Sequence, residues 1–145
     1  MGTSRYTILI CDEDRAHTDP LAFGLVELGH TVTVARTYVD AFAAACAHDY
    51  SVLVTAPFLR DRPALGLPDA LGFRRPGLVL LMTRMCERLA APVARSVGFE
   101  RQLAKVVDPR ALDRLVRATF AVPARGGPGG RPPRPREATP VNRAR

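Results

Sequence analysis

The chain lacks tryptophan and has only three tyrosines and six phenylalanines, so its core must be mainly aliphatic. It is short of cysteine: Cys11, Cys46 and Cys86 are far apart and odd in number, each in apolar surroundings. That pattern excludes a disulfide framework and a Cys-based metal site, and it predicts reduced, buried thiols of a cytoplasmic protein. Histidine is equally sparse. His17, His30 and His48 show no metal-ligand spacing, and surface or capping roles are expected for them. No apolar run approaches the roughly 18 residues that a membrane span needs. The first one, Tyr6 to Cys11, stops at once on acids, so no signal peptide is expected. No glycine-rich phosphate loop follows a strand, because Gly126-Gly127 and Gly129-Gly130 lie near the end of the chain.

The 145 residues suit one domain, and 47% of them are hydrophobic, enough for a core. The formal charge of +7 is unevenly spread. Residues 1–121 hold 15 basic and 13 acidic side chains, while residues 122–145 hold six Arg against one Glu. The basic character therefore belongs to the tail. With six Pro and four Gly and no apolar periodicity, residues 122–145 read as a disordered tail. An acidic protein or a nucleic acid is the partner its charge suggests.

Strands and helices alternate along residues 5–121. Tyr6–Cys11 is a β-prone run ending in Asp12-Glu13-Asp14. A helix follows that starts between Arg15 and Asp19, with Asp19-Pro20 as an N-cap and N1 pair. Leu21, Leu25 and Leu28 share its inner face, Gly24 permits a close approach, and Gly29 ends it. His30–Ala35 alternates Thr and Val like a strand near a sheet edge. Thr37 caps a second helix to about His48, with Val39, Phe42, Ala45 and Cys46 inward. Residues 57–77 offer at most two helical turns, from Pro68 to Arg74. Leu78–Met82 is an apolar strand with Thr83 at its end. The helix after it is interrupted at Pro92 and closed by Gly98. Arg101–Ala104 is a short strand ending at Lys105. Asp108-Pro109 opens the last helix, with Leu112, Leu115, Val116 and Thr119 inward. This order implies a doubly wound, five-stranded parallel α/β sheet with helices on both faces.

Tyr50-Ser51-Val52-Leu53-Val54-Thr55-Ala56 is apolar without alternation, which suits the buried centre of such a sheet. Ligands of open parallel sheets sit beyond the carboxyl ends of the strands. There this strand offers Ala56, which has no functional group.

From Ile8-Leu9-Ile10-Cys11-Asp12-Glu13-Asp14, Thr83, Gly98-Phe99-Glu100-Arg101-Gln102-Leu103-Ala104-Lys105 and Asp108-Pro109, residues 5–121 resemble a receiver domain of bacterial two-component response regulators. The resemblance implies a flavodoxin-like three-layer sandwich. In that family a third-strand aspartate accepts a phosphoryl group, an acid pair holds Mg²⁺, and a hydroxyl and a lysine contact the phosphoryl oxygens. Carried over, Asp12 and Glu13 become the metal acids, Thr83 the hydroxyl and Lys105 the cation. Ala56 falls on the phosphoacceptor, Gln102 on an aromatic switch position, and Val106 on the proline after the lysine.

An alanine methyl cannot attack phosphorus, and Thr55 should point to the other side of the strand. The resemblance therefore implies a degenerate receiver, or pseudo-receiver, in phosphorelay-type signalling. It would not be an enzyme, and no cofactor is expected beyond weakly held Mg²⁺ at Asp12 and Glu13. With no carboxylate at 56, Lys105 should pair with Asp12 or Glu13. The implied partner surface is the fourth helix, fifth strand and fifth helix, facing a kinase, an effector or a second copy, with no membrane involved. The alternatives are a phosphoaccepting regulator with a displaced acceptor such as Asp61, a small flavodoxin-like enzyme or nucleotide binder, and nucleic-acid binding through residues 122–145.

Overall fold

The sheet is organised about β3 (Val52–Thr55), whose four side chains are all buried. In the computed structural model, which describes residues 4–84 and 87–121, β1 (Thr7–Cys11) and β4 (Leu78–Thr83) flank it, and β2 (Thr31–Ala35) and β5 (Arg101–Ala104) form the edges. The strand order is β2-β1-β3-β4-β5 and every pairing is parallel. The order reverses between β1 and β3, so the crevice expected of such a sheet opens at the carboxyl ends of these two strands. The expected tail, residues 122–145, and Cys86 lie outside the described residues.

Alternation along the strands divides the core in two. Leu9, Leu53, Val79 and Leu81 face α2 (Tyr38–Ala47), α3 (Leu67–Leu71) and α4 (Glu87–Ser96). Ile8, Ile10, Val52, Val54, Leu80 and Met82 face α1 (Arg15–Glu27) and α5 (Pro109–Phe120), against Leu25, Leu112, Val116 and Phe120. Truncating a fully buried side chain such as Leu53 costs about 2–5 kcal/mol. Gly24 lets α1 and α5 touch: a Cβ there would lie 2.5 Å from Cγ of Pro109.

Three expectations are corrected. Helix α1 is capped at Asp14, not at Asp19, and Pro20 lies inside it. The Asp14 carbonyl accepts from both His17 and Thr18, so the chain turns helical as soon as it leaves the acids. Helix α2 turns Ala41 and Ala45 inward, whereas Val39, Phe42 and Cys46 are exposed. Its sequence is apolar nearly all round, and Asp40 in the first turn is its one charged residue, too little to mark the outer face. Small alanines let the helix sit close to the sheet. The thiol of Cys11 is buried as expected, and burial pushes its pKa far above the usual range against a hydrogen bond with Thr55. That of Cys46 is not buried.

Both ends of α2 are tied to the irregular segment after β3. The Asp61 carboxylate accepts from Tyr38 N (2.7 Å) and Val39 N (3.2 Å), and Thr37 accepts from Asp40 N. At the other end the Arg74 guanidinium donates to the carbonyls of Ala45, Cys46 and His48. The orphan groups of both helix termini thus find partners.

Candidate functional site

Asp12, Glu13, Ala56, Thr83 and Lys105 line one cleft of about 720 Å³ at the carboxyl end of the sheet, with Asp14, Arg60 and Arg84 on its walls. The strands place them. Asp12 and Glu13 follow β1, Ala56 follows β3, Thr83 ends β4, and Lys105 follows β5. The Ala56 amide donates to Cys11 O (2.9 Å) and the Lys105 amide to Thr83 O (3.0 Å), which fixes these tips side by side. The Lys105–Val106 peptide is cis.

Asp12 is 2% exposed, and its carboxylate is fully engaged. Oδ2 meets Lys105 Nζ at 2.7 Å and His17 Nδ1 at 3.2 Å, while Oδ1 accepts from Asp14 N at 3.1 Å. Lys105 also comes within 3.9 Å of Asp14, so its partners are Asp12 and Asp14 rather than Glu13. His17 Nε2 accepts from Val107 N at 3.0 Å, which leaves the ring proton on Nδ1, directed at Asp12. His17 therefore joins the first turns of α1, the acid of β1 and the loop after β5. A surface or capping role is corrected for it. His30 is also buried, whereas His48 is exposed as expected.

The remaining acids are neutralised from the walls. Glu13 Oε1 lies 3.8 Å from Arg60 Nε, and Asp14 Oδ2 lies 3.8 Å from Arg84 Nη2. Both are long, exposed pairs, worth about 0–1 kcal/mol each. Mg²⁺ requires oxygens in near-octahedral array. Here the buried carboxylate already meets Lys105, His17 and the Asp14 amide, Glu13 faces an arginine, and β3 contributes only a methyl group. Among the described residues no group of three His, Cys, Asp or Glu side chains could hold a metal ion. The donor set does not fit Mg²⁺. Asp61 does not line the cleft, being held at the N-terminus of α2.

Sequence reasoning missed His17, Arg60 and Arg84. The histidine was legible, since it lies four and eight residues before Leu21 and Leu25, on their buried stripe. The arginines come from loops and had no periodic signal. At the β5 edge Gln102 is half-buried beside α4, and its Oε1 has no hydrogen-bond partner among the described residues.

No family model and no curated protein matches the chain. Solved structures do resemble it. A two-component response regulator from Clostridium difficile superposes with a TM-score of 0.72 at 22% identity, over 78% of this chain and 93% of that one. A CheY-like response regulator receiver domain protein from Methanospirillum hungatei gives 0.69 at 23% identity, over 79% and 92%. A Burkholderia pseudomallei response regulator, whose structure holds a phosphorylated aspartic acid, calcium and citrate, gives 0.69 at 22%, over 77% of this chain but 66% of that one. The fold is therefore that of response-regulator receiver domains, a flavodoxin-like five-stranded sheet between helices. Among the described residues no helix is long and apolar enough to cross a membrane.

Proposed function

We propose that the chain is a degenerate receiver: a cytoplasmic, non-enzymatic regulatory or protein-interaction module of phosphorelay-type signalling that works without aspartyl phosphorylation. One observation carries this reading. Ala56 stands at the tip of β3, inside the cleft formed with Asp12, Glu13, Thr83 and Lys105. Phosphoryl transfer to protein needs an in-line carboxylate and a cation to offset developing charge. The tip supplies no nucleophile, and the wall arginines already offset the acids. A displaced acceptor is disfavoured because Asp61 is spent on capping α2. The proposed signalling surface is the α4, β5 and α5 face, with a kinase or effector as its partner.

The test is incubation with Mg²⁺ and a small phosphodonor, followed by intact-mass measurement. The expected result is an unchanged mass. A stable, stoichiometric gain of one phosphoryl group overturns the proposal and restores the displaced-acceptor reading.

A further inference from the structure

We infer that β2 is a self-pairing edge, and that two copies of this chain associate through it into one continuous sheet. The inference stands on the open strand and is independent of how the cleft works. Among the described residues no strand pairs with the outer side of β2. Natural edge strands are usually blunted by charge, proline or a bulge. The other edge, β5, carries Arg101 within its four residues. The five residues of β2, Thr-Val-Thr-Val-Ala, have no charge and no proline.

The direction of the backbone groups defines the pairing. Thr31 N donates to Tyr6 O, and Ala35 O accepts from Asp12 N, so Thr31, Thr33 and Ala35 turn their main chain toward β1. By alternation, Val32 and Val34 turn theirs outward. An antiparallel two-fold through Thr33 sets Val32 opposite Val34 of the second copy, and Val34 opposite Val32. Each valine then donates and accepts one bond in a hydrogen-bonded pair, and Thr33 meets its own copy in a non-hydrogen-bonded pair. A strand of this length and symmetry is complementary to itself, as an isologous contact requires.

The side chains agree with the backbone. Val32 and Val34 are half-buried on the α1 face of the sheet, beside Ala22. On α1, Phe23 is 67% and Val26 52% exposed. The two-fold preserves the faces of the sheet, so these apolar groups meet those of the second copy beside the valine pairs. It also runs the two α1 helices antiparallel, bringing the Arg15 end of one toward the Glu27 end of the other. Edge pairing thus covers both the unpaired main chain and the exposed apolar groups of α1.

Sedimentation equilibrium of the full chain tests this. The expected result is a mass twice the 15.8 kDa chain at high concentration, dissociating on dilution. Val32→Pro removes an outward N–H and trims a half-buried side chain, and should leave a folded monomer. Val26→Arg, on the exposed side of α1, should also give a monomer without relying on a proline in a strand. With Cys46 and Cys86 changed to Ser, Thr33→Cys should form a disulfide-linked dimer under mild oxidation, since paired Cα atoms there lie about 4.5 Å apart. A wild-type monomer up to millimolar concentration overturns the inference. So does a dimer that survives both Val32→Pro and Val26→Arg, or one that the cysteine at 33 does not link. The last two outcomes place the contact on another surface.

Discussion

Asp61 accepts a 2.7 Å hydrogen bond from the backbone of Tyr38, a residue 23 positions earlier and on a different element. The carboxylate that follows the β3 tip by five residues is thereby turned away from the cleft. The Tyr38 bond, against desolvation and reinforced by the Val39 bond and the charge of Arg62, holds the Asp61 carboxyl below the usual carboxylate range. A depressed folded-state pKa contributes stability above the ordinary value of 3.8, which is lost as pH falls through the folded value. Asp61→Ala should lower the melting temperature at pH 7 and leave it unchanged near pH 2. It should not alter the response to a phosphodonor. Thermal melts at the two pH values, with intact-mass measurement, check both points.

Ala56→Asp places a fourth carboxylate beside Asp12, Glu13 and Asp14 at a position only 5% exposed. Like charges packed together destabilise unless a cation joins them. The variant should therefore melt below wild type in chelator, and Mg²⁺ should restore it by mass action. The melting temperature of wild type should not respond to Mg²⁺. If the variant fails to respond, the cleft departs from a metal site by more than the one carboxylate at position 56.

The Asp12–Lys105 pair is buried and short, at 2.7 Å. Lys105→Met leaves Asp12 with His17 and one backbone amide, and should cost about 2 kcal/mol. Asp12→Asn combined with Lys105→Met should cost less than the sum of the single changes, because the double variant leaves no charge unpaired. Urea denaturation of the four proteins of this cycle gives the coupling energy. A coupling of zero would contradict the geometry.

His30 gives the fold a pH dependence. Its Nδ1 accepts from Tyr6 N and its Nε2 meets Asp113 Oδ1 at 2.7 Å, so the neutral ring is the one the site receives. Burial lowers its pKa, the Arg117 charge adds to that, and Asp113 only partly opposes it. The unfolded chain takes up the proton at about 6.5, before the folded one does. Stability is thus full above that pH and falls as the pH drops below it. Asp113 adds a second loss at lower pH. Burial pushes its carboxyl up, but hydrogen bonds from His30 and Arg117, with the Arg117 charge, hold it below 3.8. Urea midpoints should decline from pH 7.5 to 5.5 in wild type and much less in His30→Gln.

The succession of strands and helices and the residues at four strand ends were legible because apolar runs and their terminators are local signals. Val52–Thr55 read as a central strand from its unbroken apolarity, and Arg101–Ala104 was bounded by Gly98 and Lys105. Four residues near strand ends, Asp12, Ala56, Thr83 and Lys105, converge as the parallel topology requires. What stayed hidden depended on contacts distant in sequence. The helical stripe shared with Leu21 and Leu25 marks His17 as buried, but nothing local announces its bond to Val107 across 90 residues, nor the reach of Asp61 back to α2. The orientation of α2 was misread for the opposite reason, since every face of Tyr38–Ala47 offers something apolar.

Arg74 holds the C-terminal carbonyls of α2, and Asp61 holds its N-terminal amides. The helix and residues 57–77, α3 included, are therefore splinted to each other and should open together. In native-state hydrogen exchange the amides of Tyr38–Ala47 and those of Leu67–Leu71 should form one cooperative unit, with a shared opening free energy. Loosening either splint should make the whole unit accessible to proteases while the β1, β3 and β4 amides stay protected.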